Sequence, residues 1–126
     1  MIAADTSSWV AFLSGESGQD VDLLDRALAE GQVCLPAPVL TELLSNPALA
    51  DKVVQSLLEL PLIEPSPGFW LRAGRLRAEV LRQKRKARLA DALIAQLCID
   101  EDVLLITRDN DFRAFAEAGE LTILKG

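Results

Sequence analysis

The chain has 126 residues, of which half are hydrophobic and a quarter are charged, and its formal net charge is −6. This length fits a single domain spanning residues 1–126, and no apolar run approaches the roughly 18 residues that cross a membrane. Because the sequence contains no histidine, Ser-His-Asp and Cys-His nucleophilic catalysis and most zinc hydrolase sites are excluded. Hydrolytic chemistry would have to use carboxylates, a metal ion, or both.

The cysteines and the N-terminal residues predict a cytoplasmic protein. Cys34 and Cys98 are far apart, each in apolar surroundings, and no CxxC pair occurs. This usage favours two buried free thiols in a reducing compartment. The first residues also lack the basic start and the long apolar stretch of a signal peptide.

Short apolar runs alternate with amphipathic stretches, which predicts βαβ units around a parallel sheet. The predicted strands are residues 1–4, 33–35, 62–64, 103–106 and 121–124. The predicted helices are residues 8 to about 15, 20–30, about 38 to 46, 48–60, 69 to about 84, 89–99 and 111–118. Ligand sites in such sheets lie beyond the carboxyl ends of the strands.

Two of these elements have especially clear patterns. Residues 103–106 are uniformly apolar, as central parallel strands are. Residues 89–99 are almost wholly apolar apart from Asp91 and Gln96, which predicts a buried helix.

Four carboxylates lie where this sheet would bring them to one edge. Asp5 and Asp109 directly follow predicted strands. Glu42 lies in the first turns of the helix after the second strand, and Asp91 opens the buried helix. Converging carboxylates repel one another unless a cation neutralises them, and oxygen-only ligands select hard ions such as Mg²⁺ or Mn²⁺. A magnesium site without sulfur or imidazole ligands indicates phosphate chemistry.

Each acid also has a purely structural explanation. Asp5 could cap a helix, and Glu42 could compensate a helix dipole. Asp109 and Asp111 could belong to an ordinary turn in which Asp111 caps the next helix; of the two, Asp109 is nearer the strand end and is the better candidate for the pocket. Asp91 is the most specific of the acids, because a charge on a buried helix needs a partner or a metal ion.

The charge is unevenly distributed. Between Arg72 and Arg88 there are eight basic residues and one acid, Glu79, so this segment carries +7 and the remaining chain −13. A concentrated basic stripe on an acidic protein is either a phosphate-binding edge or a solvated helix face. The residues that would hold phosphates are Arg82, Lys84, Arg85, Lys86 and Arg88.

Four motifs occur in the order expected for one acidic pocket. They are Asp5-Thr6-Ser7-Ser8-Trp9, Thr41-Glu42-Leu43, Leu89-Ala90-Asp91-Ala92-Leu93-Ile94-Ala95 and Thr107-Arg108-Asp109-Asn110-Asp111-Phe112. In these motifs the chain resembles PIN-domain nucleases, in particular the VapC-type toxins of bacterial and archaeal toxin–antitoxin pairs. The resemblance extends over nearly the whole chain.

The resemblance implies a three-layer α/β/α sandwich with a parallel sheet, and a Mg²⁺- or Mn²⁺-dependent endoribonuclease. It implies an acidic quartet of Asp5, Glu42, Asp91 and Asp109. Asp5 and Asp91 would be the principal metal ligands, and Glu42, Asp109 and Asp111 are candidates for further ligation. Supporting hydrogen bonds are implied for Thr6, Ser7 and Thr107. The five basic residues named above would then bind RNA.

The resemblance also implies partners. The family often forms homodimers and is silenced by a small antitoxin that wraps the toxin, so we expect RNA, an antitoxin and a second copy as partners, and no membrane. Family members often have glycine, and often proline, shortly before the Asp91 motif. Residues 83–88 contain neither, so we expect a more helical connection and a more basic substrate edge.

Two alternatives belong to other classes of protein. A receiver-like signalling domain is also a parallel α/β fold with an acidic Mg²⁺ pocket, but it needs a phosphoacceptor aspartate after its middle strand, and residues 62–65 contain none. A catalytically inactive PIN-like binding module is the second alternative, and the presence of all four acids argues against it. EDTA in an RNA cleavage assay would separate both from a nuclease.

Overall fold

A computed structural model describes residues 1–125 and contains the predicted alternation of strands and helices. The strands are β1 (Ile2–Ala4), β2 (Leu35–Pro36), β3 (Leu62–Ile63) and β4 (Leu104–Ile106). The helices are α1 (Thr6–Leu13), α2 (Gln19–Ala29), α3 (Ala37–Leu44), α4 (Asp51–Leu58), α5 (Phe69–Arg82), α6 (Leu89–Asp100) and α7 (Phe112–Ala118).

The strands of the described residues pair in parallel, as predicted. β1 pairs with β4, with Ile2 opposite Leu104 and Ala4 opposite Ile106. β2 pairs with β3, and a parallel bridge between Ile2 and Val33 places the segment before β2 beside β1. The strands thus form two two-stranded sheets, β1 with β4 and β2 with β3, and the Ile2–Val33 bridge joins them in the order β3, β2, β1, β4. The carboxyl ends of β1 and β4 consequently lie side by side.

The predicted last strand, residues 121–124, is wrong as a strand. Only one parallel bridge forms there, between Leu105 and Ile123. Two backbone hydrogen bonds hold the segment to β4, from Leu105 N–H to the Thr122 carbonyl at 3.0 Å and from Leu124 N–H to the Leu105 carbonyl at 2.8 Å. The segment therefore lies beside β4 with a single bridge and does not pair with it as a strand.

The start of α4 lies later than predicted, at Asp51 rather than at residue 48. The side chain of Asn46 accepts a hydrogen bond from Ala48 N–H at 3.0 Å, and the backbone carbonyl of Asn46 accepts one from Leu49 N–H at 3.1 Å. Asparagine commonly bonds the backbone in this way and so competes with a helix. Residues 46–49 therefore form a turn.

The expectation of a more helical connection before α6 is wrong. Helix α5 ends at Arg82, and Lys84 adopts a left-handed conformation with φ of 62°. This is a conformation that glycine adopts without steric cost and other residues adopt rarely. Arg77 Nε donates to the Ala87 carbonyl at 2.8 Å and holds the returning chain against α5. The connection is thus a tight, non-helical turn.

The core packs directly behind the edge formed by β1 and β4. Leu105 and Ile106 of β4 are completely buried, together with Ile94 of α6 and with Phe112 and Phe115 of α7. Helix α6 is buried over most of its length, as its apolar sequence predicts. The residues that follow β1 and β4 and that open α6 therefore project from a rigid, closely packed base.

Both cysteines are buried free thiols, as expected. Burial raises the pKa of the Cys98 thiol to about 12, which makes it chemically inert. Among residues 1–125, no helix combines the length and apolar character needed to cross a membrane.

Candidate functional site

Asp5 lies at the carboxyl end of β1 and is almost completely buried, with 3 % of its surface exposed. It caps α1, since its Oδ1 accepts a hydrogen bond from Ser8 N–H at 3.1 Å. The Ser7 hydroxyl reaches both carboxylate oxygens, at 2.9 and 2.8 Å. Burial raises the pKa of Asp5 despite these hydrogen bonds. A negative charge is thus held at a costly position, although it is well supported by hydrogen bonds.

The pairing of β1 with β4 explains how Thr107 reaches Asp5. Asp5 N–H donates to the Ile106 carbonyl at 3.0 Å, which continues the parallel ladder by one residue. The Thr107 hydroxyl then donates to Asp5 Oδ2 at 2.9 Å. Ser7 and Thr107, for which supporting hydrogen bonds are predicted, both donate to Asp5. Two motifs about 100 residues apart in sequence therefore meet at one carboxylate.

Glu42 is exposed on α3 and is tied to the start of α1. The Thr6 hydroxyl donates to Glu42 Oε1 at 2.6 Å. This contact fixes the orientation of a long, otherwise mobile side chain. Thr6 therefore supports Glu42, whereas Ser7 and Thr107 support Asp5.

Asp91 is the least satisfied of the four acids. Its carboxyl group is half-buried in the first turn of α6, and its Oδ2 atom is buried without a hydrogen-bond partner. Burial raises the pKa of Asp91 to about 6, and the negative charges of Asp109, Asp5 and Glu42 contribute to this rise while Arg88 opposes it. The structure therefore brings all four acids into one electrostatic neighbourhood.

These acids do not form a closed ligand shell. Among residues 1–125, no three acidic or cysteine side chains approach closely enough to make a ready metal-binding group. The charges of the other acids raise the pKa of Asp91, but none of these acids forms a hydrogen bond with its Oδ2 atom.

Asp109 and Asp111 have different surroundings. Asp109 N–H donates to the Thr107 hydroxyl at 2.9 Å, and Asp109 Oδ1 accepts from Asp111 N–H at 2.9 Å. Asp111 Oδ2 lies 3.7 Å from Lys86 Nζ, and its side chain makes no capping hydrogen bond to α7. The charge of Asp109, and not that of Asp111, raises the pKa of Asp91. Of the two acids in this turn, Asp109 is the better candidate for the site.

The basic segment is not a free row of cations. Arg72 makes a paired contact with Asp100, from Nε at 3.0 Å and from Nη2 at 2.7 Å, although 40% of its side chain is exposed. Arg85 pairs with Glu117, Arg82 with Glu79, and Lys86 lies close to Asp111. Of the five predicted phosphate-binding residues, Lys84 and Arg88 make no ion pair within residues 1–125.

Sequence reasoning missed an ion pair beside the acids, between the buried Asp20 and the exposed Arg108. Asp20 of α2 is 8 % exposed, and Arg108 binds it through Nε at 2.8 Å and Nη2 at 3.1 Å. The Arg108 guanidinium holds the pKa of Asp20 below its ordinary value. One sequence signal was available: Asp20 shares a helix face with Leu24 and Ala27, both buried, at spacings of four and seven residues.

Comparison with known proteins agrees with this geometry. A family model described as the PIN domain matches residues 2–118. Ribonuclease VapC5 of Mycobacterium tuberculosis is 27% identical over 127 residues, which cover 96% of this chain and 92% of that protein. The match to the PIN domain is incompatible with the receiver-like alternative.

Solved structures share the fold. The structure of VapBC2 from Rickettsia felis bound to a DNA fragment from its promoter has a TM-score of 0.72 at 21% identity, over 98% of each chain. That of FitAcB from Neisseria gonorrhoeae has a TM-score of 0.69 at 20% identity, over 99% of this chain and 97% of that one. The predicted PIN-like α/β fold is confirmed.

Proposed function

The chain belongs to the PIN-domain family, and on that basis we propose that it is a metal-dependent endoribonuclease that acts as the toxin of a type II toxin–antitoxin pair. The observation that supports this most strongly is the buried, unpartnered Oδ2 of Asp91 among three further acids. A buried charged oxygen without a partner is costly unless a cation binds it. The 27% identity to a protein named as a ribonuclease supports the choice of RNA as substrate.

The donor set fits Mg²⁺ or Mn²⁺, because every candidate ligand is a carboxylate oxygen. Asp5 and Asp91 would hold the ion, and Glu42 and Asp109 are candidates for further ligation. Asp111 is the weakest candidate because it faces Lys86. When bound, such an ion lowers the pKa of a coordinated water and offsets charge that develops on the phosphoryl oxygens.

The protein's own contribution is to orient its carboxylates before substrate binds. Ser7 and Thr107 fix the two oxygens of Asp5, and Thr6 fixes Glu42. No histidine is present to activate the ribose 2′-hydroxyl. We propose that water attacks phosphorus directly. We expect products with a 5′-phosphate and a 3′-hydroxyl.

Mapping the ends of cleaved RNA tests this function. Wild-type protein should cleave in the presence of Mn²⁺ and stop in EDTA, and Asp91→Asn should lose activity by several orders of magnitude. Asp22→Asn, which changes an exposed acid of α2, is the matched control and should keep full activity. Cleavage that persists in EDTA, or full activity in Asp91→Asn, contradicts the assignment. Cyclic phosphate ends contradict the mechanism.

The toxin assignment predicts partners. Expression of the wild-type chain in the cytoplasm should arrest growth, and Asp91→Asn should relieve the arrest. Coexpression of the cognate antitoxin should also restore growth. Growth arrest that persists in Asp91→Asn would mean that RNA cleavage is not its cause.

Self-association is part of the same proposal. Trp70 and Leu71 are adjacent on α5 and are 67% and 60% exposed. Large apolar side chains that are this exposed are candidates for an interaction surface. Trp70→Glu should convert a dimer to a monomer in sedimentation experiments, whereas Leu58→Glu, at a similarly exposed position of α4, should not. A monomeric wild type would contradict the dimer.

A further inference from the structure

The Asp20–Arg108 pair joins two loops that border the acidic edge. Arg108 lies in the turn between β4 and α7, and Asp20 lies in the first turn of α2. Arg108 also contacts the loop before α2, through Nη2 to the Ser17 carbonyl at 3.3 Å and through Nη1 to Glu16 at 3.5 Å. One guanidinium therefore fixes the relative position of two segments about 90 residues apart in sequence.

The pair belongs to a closed ring of contacts that includes Asp5. The Ser8 hydroxyl donates to Asp20 Oδ2 at 2.8 Å, while the Ser8 backbone N–H donates to Asp5 Oδ1 at 3.1 Å. On the other side, Thr107 precedes Arg108 directly and donates to Asp5 Oδ2 at 2.9 Å. Ser8 and Thr107, which contact or adjoin the ion pair, thus each donate to one oxygen of Asp5, while Ser7 donates to both.

We propose that Asp20 and Arg108 are positioning residues for the acidic site: their ion pair sets the orientation of the Asp5 carboxylate and of the turn that carries Asp109. This inference rests on the proposed function, since it names the residues that prepare the same carboxylates for a divalent cation. Asp20 and Arg108 act through Ser8 and Thr107, and neither is required to touch the ion or the RNA.

The packing around the pair supports a positioning role. Gly18 lies against it, and a Cβ atom there would come within 2.6 Å of Asp20 Oδ1 and 2.8 Å of an Arg108 guanidinium nitrogen. The backbone therefore approaches the pair as closely as a residue without a side chain allows. Two charge-assisted hydrogen bonds in one plane also leave little rotational freedom, unlike a single lysine contact.

The chain contains a matched control. Arg72 and Asp100 form a second two-point ion pair, with distances of 3.0 and 2.7 Å, between α5 and α6. Asp100 is nine residues beyond Asp91, which is about 14 Å along the helix axis. Asp20→Asn and Asp100→Asn each remove one charge from a similar pair, so they separate a general loss of stability from a specific effect on the acidic edge.

Three measurements at a temperature where all variants are folded test the proposal. The first is Mn²⁺ affinity, followed by the spectroscopic signal of the free ion. The second is kcat and KM for RNA cleavage. The third is amide hydrogen exchange at residues 6–9 and 107–109. Asp20→Asn and Arg108→Gln should weaken Mn²⁺ binding about 10–100-fold, as loss of residues that orient metal ligands usually does. They should lower kcat with little change in KM, and the double variant should lose no more than either single variant.

Asp100→Asn should leave Mn²⁺ affinity and kcat unchanged, and faster exchange at residues 6–9 and 107–109 should appear only when the Asp20–Arg108 pair is broken. Equal effects of Asp20→Asn and Asp100→Asn on all three measurements would overturn the proposal. So would a rise in KM with unchanged kcat and Mn²⁺ affinity, because Arg108 would then contact RNA directly. A wild type that binds no Mn²⁺ would overturn the proposed function, while the exchange measurement would still decide whether the pair orders both segments.

Discussion

Replacing Asp91 by asparagine should stabilise the protein in the absence of metal. The pKa of Asp91 lies at about 6, above its ordinary value of 3.8, mainly because the group is buried and also because three acids surround it. A carboxyl group whose pKa is higher in the folded than in the unfolded state binds more protons when folded. Its ionisation therefore lowers the free energy of unfolding as the pH rises from about 4 to about 6, and the full penalty persists at neutral pH.

The size of the penalty follows from that pKa. A rise of the pKa from 3.8 to about 6 corresponds to a loss of about 3 kcal/mol in the free energy of unfolding, before solvent screening is considered. Asp91 is only half-buried, so solvent screening reduces this to roughly 1–2 kcal/mol. For a chain of this size the change corresponds to a rise of roughly 3–8 °C in the melting temperature. The asparagine side chain does not ionise, so the advantage of the variant should vanish below about pH 4, where wild-type Asp91 is itself protonated.

Urea unfolding in EDTA measures the cost of the Asp91 charge, and urea unfolding in Mn²⁺ measures the stabilisation by the metal ion. In EDTA at about pH 7.5, well above the folded-state pKa, Asp91→Asn should be more stable than wild type, and the control Asp22→Asn should be unchanged. At a hundredfold excess of Mn²⁺ over Kd, wild type should gain about 2.7 kcal/mol and Asp91→Asn less. A variant that is destabilised in EDTA and responds fully to Mn²⁺ would refute the reasoning, because Asp91 would then be a structural residue.

Three further outcomes are expected. Replacing Lys84 and Arg88 by glutamine should reduce the salt dependence of RNA binding by about 0.7 in slope per lost phosphate contact. Arg85→Gln should change the slope less, because Arg85 is paired with Glu117. Equal slopes in all variants would mean that the segment is a solvated helix face that binds no phosphate. Lys84→Gly should stabilise the fold by about 1 kcal/mol in urea unfolding, since it removes the cost of a left-handed backbone with φ of 62°, and Lys84→Ala should bring no such gain. Phe112→Ala should cost about 3–5 kcal/mol in the same assay, because its ring is fully buried next to the Asp109 turn, and a smaller loss would mean that α7 packs loosely.

The strands and helices could be predicted because their signals are local. The apolar run of β4 and the apolar length of α6 are visible in single windows of sequence. Two of the errors arose where one polar contact decides the backbone. The Asn46 side chain delays α4, and the contact of Arg77 with the Ala87 carbonyl accompanies the sharp turn after α5. Such contacts depend on residues that meet only in the folded chain, so periodicity does not reveal them.

The candidate site likewise has features that the sequence predicts and contacts that form only in the folded chain. The predicted convergence of the acids follows from strand order, and Asp5 and Thr107 are neighbours because β1 pairs with β4. The Asp20–Arg108 pair could not be predicted from the motif around Arg108, since nothing in that motif identifies a partner about 90 residues earlier. A buried acid on an amphipathic helix is a signal that a cation lies opposite, but it does not say which one.

Asp5 and Asp91 show why structural and functional explanations of an acid need not compete. Asp5 both caps α1 and faces the other acids, and three residues donate hydrogen bonds to its two oxygens. Asp91 has a buried oxygen that no residue in the described part of the chain contacts through a hydrogen bond. The protein alone therefore fixes the first carboxylate, while the second has an oxygen that the proposed cation would bind. A cation that binds both would draw the Asp91 carboxylate towards the Asp5 carboxylate, which is already held in place. Metal binding would therefore have to reorganise one side chain and not the whole site.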